Sequence, residues 1–211
     1  MAGDPPRPIL EAEYAIVTLP LGVLQAGAVT FTPDLPKEKR DAIDALRMGA
    51  LSKTWLLFDR AFWPKDVQII AYLGQRVGRW SSWYNFQPIL KRPVLLGLNG
   101  GDVGKQIEAL NHDQIWDEAR DSLKKCFPSA TISIQKLLQS RWTKDPYSFG
   151  SYSHIPPNST PDHRDTLADP FRRLLFAGEA THRTCSQTVH GAVMSGWREA
   201  RRVMPMLAVK N

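Results

Sequence analysis

The segment that most constrains the fold lies near the carboxyl end. The apolar run Leu174-Leu175-Phe176-Ala177-Gly178 has the length of a core strand and turns at Gly178-Glu179-Ala180-Thr181. Near Thr188 it gives way to a helical pattern with Val189, Ala192, Val193, Gly196, Trp197, Ala200 and Val203 on one face. Strand, loop and helix in that order form an α/β unit. Ligands of such units lie off the carboxyl ends of the strands, where a helix amino terminus presents free N–H groups and a partial positive charge. Gly191, Ala192, Ser195 and Gly196 remove bulk on neighbouring turns, which suits a ring lying against the helix and equally suits tight helix packing alone.

A second short apolar run, residues 14–19, is stopped by Pro20 and Gly22 and reads as a buried strand that needs neighbours on both sides. Residues 36–48 read as an amphipathic surface helix stopped by Gly49. Four β-type segments follow, at residues 52–59, 67–74, 79–86 and 93–98, rich in branched and aromatic side chains and punctuated by Gly and Pro. They predict a mostly antiparallel sheet. Helical patterns at 103–110 and 113–127 and a strand at 130–141 complete the middle region. Residues 145–161 form a Gly-, Pro-, Ser- and Asn-rich loop, and the aromatics in and beside it (Trp142, Tyr147, Phe149, Tyr152) argue against a disordered connector. The fold class is therefore α/β.

Hydrophobic residues at 43% and charged residues at 23% of 211 exclude a disordered or collagen-like chain. No apolar run reaches the 18 or so residues of a membrane span. The start, Met1-Ala2-Gly3-Asp4-Pro5-Pro6, lacks the pattern of a secretory signal, so an intracellular location, cytoplasmic or nuclear, is expected. The net charge of +6 permits anionic partners, yet no basic cluster sits in a nucleic-acid recognition motif. His182, Cys185 and His190 match no strong zinc spacing and lack a fourth ligand, so no metal site is predicted. Cys126 and Cys185 are the only two cysteines and follow no visible signal or transmembrane segment, so no disulfide scaffold is expected.

The run 175–181, with Thr188-Val189-His190-Gly191-Ala192 and Ser195-Gly196-Trp197-Arg198-Glu199-Ala200, resembles the carboxyl-terminal signature of flavin-containing amine oxidases. Further stretches agree in order: Thr18-Leu19-Pro20-Leu21-Gly22-Val23-Leu24, Met48-Gly49 through Lys53 to Phe58-Asp59-Arg60-Ala61-Phe62-Trp63, Arg141-Trp142 with Asp145-Pro146-Tyr147, and Gly150-Ser151-Tyr152-Ser153. The likeness runs from Glu13 onward and is strongest to the branch of polyamine oxidases and lysine-specific histone demethylases.

The resemblance implies an FAD-dependent oxidase of the C–N bond of a polyamine or related amine, with imine hydrolysis and reoxidation by O2 to H2O2. Methylated lysine peptides are the other substrate class it implies. Lys53 would be the catalytic lysine, holding a water against the flavin. Tyr152 would supply an aromatic wall for the amine, with Tyr147 and Thr188 also at the substrate. Thr188 stands where some relatives place a second aromatic, which would open the entrance. Trp142, Gly178, Glu179, Thr188 and Val189 would contact FAD. Ser151 stands where covalently flavinylated relatives have cysteine, so FAD would be non-covalent. The implied domains are a flexible lead at 1–12, a partial Rossmann-like FAD-binding domain at 13–30 and 141–211, and an α+β substrate-binding domain at 31–140.

Such enzymes also carry a Gly-x-Gly-x-x-Gly unit for the pyrophosphate. The one glycine cluster here, residues 97–104, has a different spacing. The expectation is the carboxyl-terminal half of such an enzyme, with the amino-terminal FAD-binding portion as its missing partner and an apolar face left open to association. The alternative is a catalytically inactive homologue acting as an amine- or protein-binding module.

Overall fold

The computed structural model describes residues 9–208, so most of the lead segment lies outside the described residues. The strands are β1 Ala15–Val17, β2 Arg47–Met48, β3 Leu51–Phe58, β4 Ile69–Ala71, β5 Ser82–Asn85, β6 Val94–Gly100, β7 Ile134–Gln139, β8 Ser153–His154 and β9 Leu174–Phe176. The helices are α1 Leu21–Gln25, α2 Lys37–Ala45, α3 Gln87–Leu90, α4 Gly101–Ala109, α5 His112–Cys126, α6 Asp162–Ala168 and α7 Val189–Ala208. They fall into two compact units, one of Met48–Tyr152 and one of Met1–Arg47 with Ser153–Asn211.

The middle unit is built on a five-stranded antiparallel sheet in the order β4-β5-β6-β3-β7. The interior strand β3 alternates strictly: Ser52, Thr54, Leu56 and Phe58 are buried, while Lys53, Trp55 and Leu57 point to the other face and are half-buried. That period of two is what a strand with one core face requires. Leu56 and Phe58 join Trp83, Leu95, Ile107, Ile115 and Leu123 in the core. Trp80 and Trp83 stack with their rings 5.2 Å apart and nearly parallel. Gly97 makes room for them, since a Cβ there would come within 2.7 Å of the Trp83 ring. The rings predicted at 79–86 thus serve sheet packing. Helix α5 starts with a full capping box between Asn111 and Gln114. Arg79, almost fully buried, closes one edge of the unit with a two-pronged bond to Glu118 at 2.8 and 2.7 Å.

In the terminal unit β1 runs parallel to β9, with Ala15 opposite Leu174 and Val17 opposite Phe176. The predicted strand therefore forms but is not buried, because among the described residues it pairs with β9 alone and Ile16 stays exposed. Helix α2 packs on α6. Lys39 of α2 is buried and donates to the carbonyls of Thr166 (2.8 Å), Leu167 (2.9 Å) and Asp169 (2.6 Å), satisfying the end of α6. Its ammonium also lies 4.2 Å from the Phe176 ring centroid. Burial lowers the Lys39 pKa from 10.5 to about 8, against the opposing pull of Asp169 and Glu199.

Helix α7 packs through two of the small residues singled out in the sequence, Gly191 and Ser195, rather than through its apolar face. Its buried residues are Gly191, Ser195 and Glu199. The apolar face carrying Val189, Val193 and Trp197 is outward and exposed. Glu199 is buried because Arg198 and Arg202 both pair with it, a compensation that hydrophobic periodicity does not register.

Candidate functional site

The predicted site residues divide between the units, with Lys53, Trp142, Tyr147 and Tyr152 in the middle one and Gly178, Glu179, Thr188 and Val189 in the terminal one. In the middle unit the start of β3 is bonded to the segments on either side of the 142–150 loop. The Lys53 N–H donates to the Ser140 hydroxyl at 2.8 Å, and the Ser140 N–H returns a bond to the Lys53 carbonyl at 3.0 Å. Lys53 is thereby fixed beside the segment that leads into Trp142. On the other flank Ser151 donates to the Gly49 carbonyl, and Gly49 donates to the Tyr152 carbonyl, both at 2.8 Å. The Ser151 hydroxyl accepts from the Leu51 N–H at 2.8 Å. Gly150 permits this approach: a side chain there would press to 2.8 Å from the Met48 Cβ and 2.9 Å from the Gly49 carbonyl. Lys53 and the backbone of Tyr152 are thus held near the amino-terminal end of β3.

Trp142 opens a short 3-10 turn, Trp142–Lys144, and its side chain is 41% exposed. Tyr147 is 83% exposed, and its N–H is tied to the Asp145 carboxylate at 2.8 Å. Both rings offer free faces among the described residues.

In the terminal unit, Gly178, two residues beyond β9, has φ +121°, a conformation that favours glycine. Nothing lies within 4 Å of the position its Cβ would take. Its N–H donates to the Ser195 hydroxyl at 2.8 Å, which ties the strand end to α7. Glu179 is a hub: its carboxylate accepts from the Ser153 N–H (2.8 Å), the Ser153 hydroxyl (2.9 Å) and the Gln187 N–H (2.6 Å). A carboxylate offers about four acceptor positions, so one is left for a further donor. Ser153 also accepts from the fully buried Arg164 at 2.7 Å, and Arg164 donates to the Ala180 carbonyl at 3.0 Å.

Thr188 caps α7, its hydroxyl accepting from the Gly191 N–H at 3.0 Å and donating to the Cys185 carbonyl. Val189, in the first turn, is 83% exposed. His182 accepts from the Cys185 N–H at 3.0 Å, and no group of three or more metal-ligating side chains is gathered among the described residues.

These features fit FAD in kind. An open glycine stands at a strand end beside a capped helix amino terminus, a carboxylate keeps one acceptor position for a hydroxyl, and an aromatic ring is half-exposed. Sequence reasoning missed Ser153, Arg164 and Glu108. Glu108 had a faint signal as the one charged residue on the Gly104, Ile107 face of its helix.

The chain belongs to the family of flavin-containing amine oxidoreductases, whose model matches residues 5–204. Among curated relatives it is 36% identical over 200 residues to lysine-specific histone demethylase 1 homolog 1 of Oryza sativa subsp. japonica, covering 91% of this chain and 23% of that protein. It is 34% identical to the Arabidopsis thaliana protein of the same name, covering 91% and 24%. It is also 34% identical to possible lysine-specific histone demethylase 1 of Drosophila melanogaster, covering 92% and 24%. The chain thus spans about a quarter of the length of the relatives it matches. No helix among the described residues is long and apolar enough to cross a membrane.

Proposed function

We propose that the chain supplies the substrate-facing and carboxyl-terminal FAD-facing parts of an amine oxidase that cleaves the C–N bond of a methylated lysine side chain or a polyamine. Residues 31–140 are the substrate-binding domain in this reading, and 13–30 with 141–211 the partial FAD-binding domain. The observation that carries it is the backbone anchoring, around Lys53 at the start of β3, of Ser140, two residues before Trp142, and of the Ser151-Tyr152 segment. Bound non-covalently, since Ser151 cannot form a thioether, FAD would accept hydride from the carbon next to the amine nitrogen.

The chain's own residues do the rest. Lys53 holds a water for proton exchange, and its strand position fixes where that water sits. Tyr152 presents a ring face that attracts the amine cation and excludes bulk water. Tyr147 lines the amine's approach, and the short Thr188 side chain leaves room for a peptide-borne amine. Trp142, Gly178, Glu179 and Val189 hold the cofactor, Glu179 through its remaining acceptor position. The names of the three relatives above, each a lysine-specific histone demethylase, support methylated lysine over a free polyamine and an intracellular site of action in this reading. The partner this reading requires is an amino-terminal FAD-binding portion.

The test is a chimera in which residues 5–204 replace the matching segment of the rice relative. Peroxide release is then compared for a dimethyl-lysine peptide and for spermine. The reading predicts release with the peptide and its loss in Lys53→Met. Release with spermine alone selects the polyamine substrate. Folded, flavin-loaded chimera that releases no peroxide with either amine selects the inactive binding module.

A further inference from the structure

The mechanism uses Trp142 but nothing in it explains why that residue is held where it is. Glu108, one residue from the end of α4, is fully buried, and no ion pair reaches its carboxylate among the described residues. That carboxylate instead accepts from the Trp142 N–H at 3.2 Å, the Thr143 N–H at 2.9 Å and the Thr143 hydroxyl. The exchange runs both ways: the Arg141 guanidinium donates to the Glu108 backbone carbonyl at 2.7 Å and to the Leu110 carbonyl at 3.0 Å. The first N–H groups of a 3-10 turn have no partner inside the turn, and the carbonyls ending a helix have none inside the helix. Here each end satisfies the other.

From this reciprocal clamp we infer that Glu108 is a positioning residue, which sets the orientation of the Trp142 indole by capping the turn that carries it. The inference rests on the proposed placement of Trp142 at the flavin edge, but the clamp can be tested without cofactor. Glu108 does not touch substrate or flavin. It acts by fixing the backbone of residues 141–143, leaving the indole half-exposed and in one orientation. A glutamine at 108 keeps one carbonyl oxygen but turns an NH2 toward the second N–H, so it replaces part of the clamp. Alanine removes the carboxylate half of it, keeping only the Arg141 bonds to backbone carbonyls, and leaves the Trp142 and Thr143 amides and the Thr143 hydroxyl without that acceptor.

The experiment labels the protein with 5-fluorotryptophan, assigns the Trp142 fluorine signal by Trp142→Phe, and measures hydrogen exchange at the Trp142 and Thr143 amides. In Glu108→Ala the two amides are expected to exchange at least about ten-fold faster, as for loss of charge-assisted bonds. The Trp142 signal should broaden or shift, with exchange in β3 and α5 unchanged. Glu108→Gln should fall between the two, and it decides alone if the alanine variant does not fold. An unchanged Trp142 signal and unchanged amides in the folded variants overturn the inference. Adding FAD to the chimera separates the two layers. If the wild-type Trp142 signal does not respond to flavin while Glu108→Ala still disorders it, the clamp stands and the flavin-edge placement fails.

Discussion

The two glycines of α7 that share its small-residue stripe should respond to alanine in opposite directions. At Gly191 an added Cβ would sit 1.8 Å from the Cys185 carbonyl oxygen and 3.1 Å from the Thr188 hydroxyl, where ordinary contact begins at 3.4 Å. The first clash involves backbone, so the helix start must move by about 1.6 Å, taking the Thr188 cap with it. Overpacking costs roughly 1–3 kcal/mol, and loss of the cap about 1 kcal/mol more. The better helix propensity of alanine returns about 0.5–1 kcal/mol. The net expectation for Gly191→Ala is a loss of about 2 kcal/mol. At Gly196 nothing lies within 4 Å, so only the propensity gain remains and Gly196→Ala should stabilise by about 0.5–1 kcal/mol. Urea unfolding followed by far-UV circular dichroism reads both. A Gly191→Ala variant as stable as wild type, or a destabilised Gly196→Ala, would refute the packing described for the start of α7.

Lys39 gives a pH prediction. Its folded pKa of about 8 lies below the ordinary 10.5, so between those values the unfolded chain keeps a proton that the native protein releases. The cost of its charge is fully present below about pH 8, and stability should rise from there toward pH 10.5. The rise is at most about 3.5 kcal/mol, at ~1.4 kcal/mol per pH unit, and less to the extent that solvent screens the ammonium. Lys39→Met should lack this component when unfolding is compared across the window, and identical pH slopes in the two proteins would contradict it. Gly97→Ala should drive its Cβ into the Trp83 ring and lower stability by about 1–3 kcal/mol in thermal unfolding, whereas an unchanged midpoint would mean the stacked tryptophans are not packed as described. The exposed Val189, Val193 and Trp197 face should promote self-association. Trp197→Glu should shift the sedimentation distribution toward monomer, and an unshifted distribution would assign association to another surface.

Much of the middle unit was legible because its sequence signals are local. The branched and aromatic runs of β3 and β6 and the period of α5 each read correctly, with ends displaced by a few residues. Short α1, α3 and α6 were not legible, since four to seven residues beside Pro20, Pro88 and Pro161 leave no period to count. Helix α7 was found, but the burial of Glu199 was not legible, because a buried carboxylate with two arginine partners looks polar to any hydropathy pattern. At the candidate site the sequence located Lys53 and the 141–152 loop. It did not show that Glu179 joins Ser153 across 26 residues, or Glu108 joins Trp142 across 34. Bonds over such separations are made by tertiary structure and leave no spacing to read.

The claim that matters most is that Lys53 serves an amine oxidation. Anaerobic mixing of the flavin-loaded chimera with a dimethyl-lysine peptide measures it at the cofactor itself. The account predicts that the yellow flavin band bleaches with the wild-type segment, and that Lys53→Met, with flavin still bound, bleaches at least about a hundred-fold more slowly, the loss typical of removing a proton-handling group. Equal bleaching rates in the two proteins would contradict it.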